Sequence, residues 1–274
     1  MINLRARPVG GPLRERPVFA TGRRPGRKVL LIHGFNTTQA EAEAGYEAFQ
    51  DLIERQAPRL ARRICPVYWP GDSGLKGGAY PWLVERAAQA GAQLAEWMAR
   101  QEDELVIVAH SLGCRLTLEA LVQLPLDRGP RIRLFLMAAA VPVGLFEDGS
   151  PMREAARRAD SVDVLHSRAD GVLAFWFRLG QTAAPGEAAL LPEAVGLRGR
   201  PRRKLWSRTV EMPGYDHGQY WGGHRMATHL AHRLGAAVAK PRPIRLNALP
   251  RLVRRRPAVP PRALGLRREI VPRP

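Results

Sequence analysis

Apolar positions in this chain fall in two patterns. Short dense runs stand at "KVLLIHG" (28–34), "ICPVYW" (64–69), "ELVIVAH" (104–110), "RIRLFLMAA" (131–139) and "VDVLHS" (162–167), with the more polar "SRTVEM" (207–212) a candidate sixth. A continuous apolar run of roughly four to eight residues is what a strand buried on both faces requires. Between the runs, at 38–57, 80–101, 111–124 and 219–239, apolar residues recur at helical spacing. Thr37 or Thr38 can cap the first of these helices, with acidic residues in its early turns. Strands alternating with helices imply crossover connections, hence an α/β protein with a mostly parallel central sheet and helices on both faces. Residues 140–160 and 179–206 break the rhythm, and long loops in such domains often shape a substrate site.

Charge divides the chain into three. The net charge is +18, from 43 Lys and Arg against 25 Asp and Glu. Eight basic residues and one acid lie in 1–28, and eleven basic residues and one acid in 240–274, leaving 24 against 23 between them. The middle is nearly neutral, and 45% of the chain is hydrophobic, enough to fill a core. We therefore expect a basic flexible arm at 1–27, a globular domain at 28–239 and an Arg/Pro-rich disordered tail at 240–274. A segment such as "PRPIRLNALPRLVRRRPAVPPRALGLRREIVPRP" cannot bury enough apolar area to offset the entropy of ordering. Basic ends can also serve as arms for nucleic acid or anionic membrane, a role ranked here below simple solvation.

The two cysteines, Cys65 and Cys114, lie in a strand-like run and at a helix start, and read as buried free thiols. No metal-ligand spacing occurs, and neither metal nor organic cofactor is expected. The N-terminus lacks the apolar core of a signal peptide, and "LFLMAAAVPVGLF" is too short to span a bilayer. A cytoplasmic protein is the expectation.

The chemistry starts at "ELVIVAHSLGCRLTLEAL" (104–121), where an apolar run ends and a helical pattern begins at once. Ser111 stands one residue past the strand, so it projects above the carboxyl edge of the sheet, where α/β sites form. Small residues on either side, Ala109 and Gly113, relieve crowding in the tight turn. The helix that follows aims its first N–H groups at the site, and Leu112 N–H would face an oxyanion formed beside Ser111 Oγ. This is the G-x-S-x-G nucleophile elbow with Ala109 for the first glycine. The alternative is a serine that merely caps a helix.

With "HGFN" (33–36), "YWPGD" (68–72) and "AHSLG" (109–113), the chain resembles the α/β-hydrolase superfamily over roughly residues 28–235. It looks most like small esterase- or lipase-like bacterial members of unassigned function. The resemblance implies an α/β-hydrolase fold with a small cap or none. It also implies a second oxyanion donor, the backbone N–H of Phe35, with His33 and Gly34 shaping that loop and Asn36 bonding backbone in the turn. The family order of serine, acid, histidine points to Asp170, just past the fifth run, with Asp148 as the alternative. It points to His217 as base, from its likeness to a His-x-x-Tyr-Trp signature completed by Tyr220 and Trp221, with His224 as the alternative. Phe35, Leu112, Val141, Leu145, Trp176 and Phe177 are candidates for an apolar acyl pocket. Asp72 is either a substrate contact or a turn residue. The implied activity is serine-esterase acyl transfer on a small ester or acyl substrate, with thioester or peptide hydrolysis open on the same site. The alternative is a catalytically silent hydrolase fold used as a binding module, its basic ends touching nucleic acid or anionic membrane.

Overall fold

In the computed structural model the chain forms β1 (Ile2–Arg5), β2 (Leu13–Phe19), β3 (Lys28–Ile32), α1 (Gln39–Gln56), α2 (Pro58–Ala61), β4 (Ile64–Tyr68), α3 (Tyr80–Met98), β5 (Leu105–His110), α4 (Leu112–Gln123), β6 (Ile132–Met137), α5 (Pro151–Arg158), β7 (Ser161–His166), α6 (Phe177–Thr182), α7 (Val195–Arg198), β8 (Arg208–Glu211) and α8 (His224–Gly235). Residues 1–20, 26–72, 80–125, 129–184, 190–201 and 205–235 are described. The tail at 240–274, the glycine-rich run after Asp72 and part of the 179–206 loop lie outside them.

Every residue of β5 is buried, as its unbroken apolar run predicts. Among the described residues the sheet has eight strands, in the order β2-β1-β4-β3-β5-β6-β7-β8. All neighbours are parallel except β1 and β2. α1 and α8 pack together on one face, and α3, α4 and α5 on the other. This is the α/β-hydrolase fold. β3 lies between β4 and β5, so the chain reverses its direction of travel across the sheet there. Ligand clefts open at the carboxyl ends of strands flanking such a reversal. The segment between β6 and β7 holds only a 3₁₀ turn (Val143–Phe146) and α5, whose N-terminus is capped by Ser150, so a large cap is not built there.

The N-terminus departs from expectation. Residues 1–20 are not a flexible arm: β1 inserts beside β4, and β2 forms the outer edge. Ile2 and Leu4 are fully buried. The side chain counted as a solvated charge, Arg5, is also buried and forms an ion pair with Asp72. Its Nη1 donates to the Trp69 carbonyl at 2.7 Å and the Thr37 carbonyl at 3.3 Å, and its Nε to Arg7 at 3.2 Å. Asp72 Oδ2 accepts the Gly10 N–H at 2.8 Å. Asp72 therefore locks the first segment of the chain to the end of β4 and is not a substrate contact.

At the other end, the last helix begins at His224 rather than near 219. Residues 216–219 are held as turns, with Gln219 Oε1 accepting Asp216 N–H at 3.1 Å and Asp216 Oδ1 accepting Gly218 N–H at 3.1 Å. α8 is fixed to the sheet by Asp163, fully buried on β7, which accepts from His229 Nε2 at 2.9 Å and Arg233 Nε at 2.8 Å. Burial alone would raise the carboxyl pKa, but these bonds hold it below its ordinary value. Among the described residues no helix is long and apolar enough to cross a membrane.

Removing one partner of a buried pair leaves the other charge uncompensated. Arg5→Met should lower unfolding free energy by about 3–5 kcal/mol in urea titrations. Adding Asp72→Leu should recover part of the loss, the Gly10 N–H remaining unpaired.

Candidate active site

The turn from β5 to α4 is closed by contact with β3. A Cβ on Gly113 would overlap the His33 carbonyl oxygen and stand 2.8 Å from that of Ile32. A Cβ on Gly34 would lie 2.7 Å from Ser111 Cβ. Glycine at 113 and 34 is therefore a packing requirement. Ala109 is different: it is the strand residue paired with Ile32 and Leu136, fully buried, and its methyl fits. Ser111 takes φ 53° and ψ −123°, a strained conformation outside the ordinary regions for an L-residue. Its backbone is held on both sides. Its N–H donates to the Met137 carbonyl at 2.9 Å, and its carbonyl accepts Cys114 N–H at 3.0 Å and Ala140 N–H at 3.2 Å.

His217 reaches this serine from the loop between β8 and α8. Its Nε2 lies 2.8 Å from Ser111 Oγ, and its Nδ1 lies 2.8 Å from Asp170 Oδ2. Asp170 is fully buried just past β7, and its Oδ1 accepts the Leu173 N–H at 2.9 Å. A carboxylate can only accept, so Nδ1 carries the ring hydrogen and Nε2 is left to accept from the serine hydroxyl. The alternatives take no part in these contacts. Asp148 is exposed and paired with Arg153 at 2.9 Å. His224 is on the first turn of α8, away from these contacts.

His110, read in the sequence only as the variable residue of the elbow, has a part of its own. Its Nε2 donates to the His217 carbonyl at 2.7 Å, and the two rings stand 5.0 Å apart. Burial, with His217 nearby, pushes its pKa down to about 3, so the ring is neutral. The signal was the position itself: the residue before the elbow serine must face the loop that covers it. Tyr220 and Trp221 hold the same loop. Trp221 packs edge-on to Tyr46 at 5.1 Å and Phe49 at 5.4 Å, and Tyr220 lies fully buried 5.8 Å from His110. Burial, together with the Asp170 charge, pushes the Tyr220 hydroxyl well above its ordinary value.

Opposite this loop, "HGFN" is braced by Trp69. The His33 ring stacks on Trp69 at 5.7 Å; its Nδ1 donates to the Gly34 carbonyl at 3.1 Å and its Nε2 accepts Trp69 N–H at 3.3 Å. Trp69 Nε1 returns a bond to the His33 carbonyl at 2.9 Å. Burial pushes His33 down to about 3. Asn36, at φ 53°, donates its N–H to Gly71 at 2.6 Å. Among the described residues no hydrogen bond takes up the Phe35 N–H. Leu112 opens α4, so its N–H is one of the helix's orphan donors.

The expected pocket is corrected in part. Val141 and Phe177 are core residues, fully buried or nearly so, and Leu145 is partly buried. Trp176 points outward and is 66% exposed. Leu173 and Phe177, four apart, share the buried side of the turn that begins at Val172, and Trp176 falls on the other side. Phe35 is partly buried beside the serine and packs edge-on to Tyr80 at 5.4 Å.

No family model and no curated protein matches the sequence. Solved structures do match in overall course. TT1662 from Thermus thermophilus is 13% identical over 78% of this chain and 89% of its own, with a TM-score of 0.44. A pyrethroid hydrolase from Sphingobium faniae JZ-2 is 16% identical over 77% and 98%, with a TM-score of 0.40. Mouse alpha/beta hydrolase domain-containing protein 10 is 14% identical over 78% and 90%, with a TM-score of 0.41. These are distant similarities of the chain trace and carry nothing about its chemistry.

Two of the buried histidines, His33 and His110, set an acid limit on stability. Unfolded, each takes up a proton below its ordinary value near 6.5, whereas in the fold it does so only near 3. Their contribution is therefore complete above about pH 6.5 and is lost as pH falls toward 3, at about 1.4 kcal/mol per pH unit for each histidine. Urea unfolding at several pH values should give this slope, and His110→Gln should reduce it by one proton.

Proposed function

We propose that this protein is a serine hydrolase that cleaves carboxylic esters, or closely related acyl bonds, through an acyl-enzyme. One observation carries the proposal: an unbroken hydrogen-bond chain runs from Ser111 Oγ through His217 to buried Asp170, with 2.8 Å at each step. It starts at a serine held in an elbow at the carboxyl edge of a parallel sheet.

A serine hydroxyl is a poor nucleophile until a base takes its proton. Here Ser111 Oγ attacks the acyl carbon while its proton passes to His217 Nε2. The imidazolium is stabilised by Asp170, which stays ionised and fixes the ring's orientation. The oxyanion meets the Phe35 and Leu112 N–H groups, and one such donor is typically worth about 2.7–4 kcal/mol. Collapse of the tetrahedral adduct expels the alcohol, which takes the proton from His217. Water then attacks the acyl-serine with His217 again as base, releasing the acid and restoring the hydroxyl. The bond from His110 to the His217 carbonyl keeps the base over the serine through both halves.

A fluorophosphonate probe should label the protein at Ser111 and not the Ser111→Ala variant. Asp170→Asn, which leaves His217 without its charged partner, should lower kcat on a short-chain ester by about 10⁴-fold with little change in fold. An unlabelled native protein would return the catalytically silent binding module in place of the hydrolase.

A further inference from the structure

Residues 172–177, just after Asp170 and Gly171, are apolar without a break. A π-turn over Val172–Trp176 runs directly into α6. Leu173 and Phe177 are buried against the body of the protein, and Phe177 meets Tyr80 edge-on at 6.2 Å. The opposite stripe, Val172, Phe175, Trp176 and Leu179, is equally apolar and faces out, with Phe175 57% and Leu179 46% exposed. Arg178 Nε and Thr182 Oγ1 bind the backbone of Leu191 beside it, at 3.1 Å and 2.9 Å. Leu190 is 80% exposed, and Trp82, near Tyr80 at the start of α3, is 64% exposed. A helix apolar all round is ordinarily enclosed, and clustered exposed apolar side chains mark an interaction surface.

Charge selects the partner. From Gly171 to Ala184 there is no acidic residue, and Arg178 is the one charged side chain. The whole chain carries +18, with +10 in residues 240–274. Two copies meeting through this stripe would bring together two strongly like-charged molecules, whereas an anionic surface attracts them. Trp, Phe and Leu with flanking Arg is the composition that seats at the boundary between lipid headgroups and acyl chains. An apolar contact of this kind binds weakly alone and becomes stable when a polybasic segment adds a second signal.

We propose that the Val172–Leu179 stripe docks the protein on an anionic lipid surface, placing the Ser111 cleft against acyl esters held in that surface. The choice of substrate rests on the hydrolase proposal; the docking does not. The tests separate them. Full-length Ser111→Ala protein should co-sediment with phosphatidylglycerol/phosphatidylcholine vesicles, with a blue shift of tryptophan emission, and less so as salt rises. In the same background Phe175→Ser with Leu179→Ser should weaken binding by about tenfold or more, through the apolar area withdrawn. With Ser111 present, that double substitution should leave hydrolysis of a water-soluble short-chain ester unchanged and slow hydrolysis of vesicle-held ester. No co-sedimentation overturns the docking. Salt-sensitive binding that ignores the substitutions also overturns it, assigning the contact to the basic ends alone. A dimer in sedimentation equilibrium that the substitutions abolish overturns it in favour of a second copy. Vesicle binding that depends on the stripe, together with failure of probe labelling, leaves the docking standing and removes the hydrolase.

Discussion

The site depends on one close approach, that of Gly113 to the carbonyls at the end of β3. With no side chain at 113, α4 starts directly against His33 and Ile32. That contact fixes the position of Ser111 and, at the same time, the distance between the serine and the Phe35 loop. The two N–H groups proposed to hold an oxyanion follow different strands, Phe35 after β3 and Leu112 after β5, and this contact brings the two turns together. The strain at Ser111 persists because its N–H and carbonyl are committed to Met137, Cys114 and Ala140. Relaxing the turn would cost those bonds.

The loops that meet at the serine are each held by an aromatic or imidazole group that has given up its charge. His33 and Trp69 form a reciprocal pair under the Phe35 loop, and His110 with Trp221 holds the His217 loop. Neutral imidazoles suit this role, since each offers one donor and one acceptor in a fixed plane and the partners select the tautomer. Asp163 does the same for α8 with a charge, which is tolerated because His229 and Arg233 satisfy it.

Much of this was legible in the sequence, for physical reasons. Parallel strands buried on both faces must be written as dense apolar runs, and five such runs became β3 to β7, while the more polar "SRTVEM" became the exposed edge strand β8. The elbow was legible because a serine between strand and helix has few other uses. Asp170 and His217 were found through the order of a resembling family, and they meet Ser111 in space. The misses share a cause: local character was taken for environment. Arg5 counted as solvated charge, yet four acceptors bury it. Asp72 resembled a turn or a substrate contact, yet its partner lies 67 residues earlier. Phe177 and Trp176 are adjacent and alike, and only the side of the helix on which each falls decides which is core and which faces out.

The Arg5–Asp72 tie has a consequence for how the chain comes to be. β1 and β2 precede β4 in the chain, and their hairpin can close locally. Ile2 and Leu4 still cannot be covered on the β4 side until the chain has been made through residue 68, nor can Arg5 be neutralised before residue 72. The β1–β2 hairpin must therefore wait, with an open edge, for a strand not yet made. Its completion is linked to the strand whose end braces the Phe35 loop, so the hairpin is sealed in the same event that shapes the Ser111 turn's surroundings.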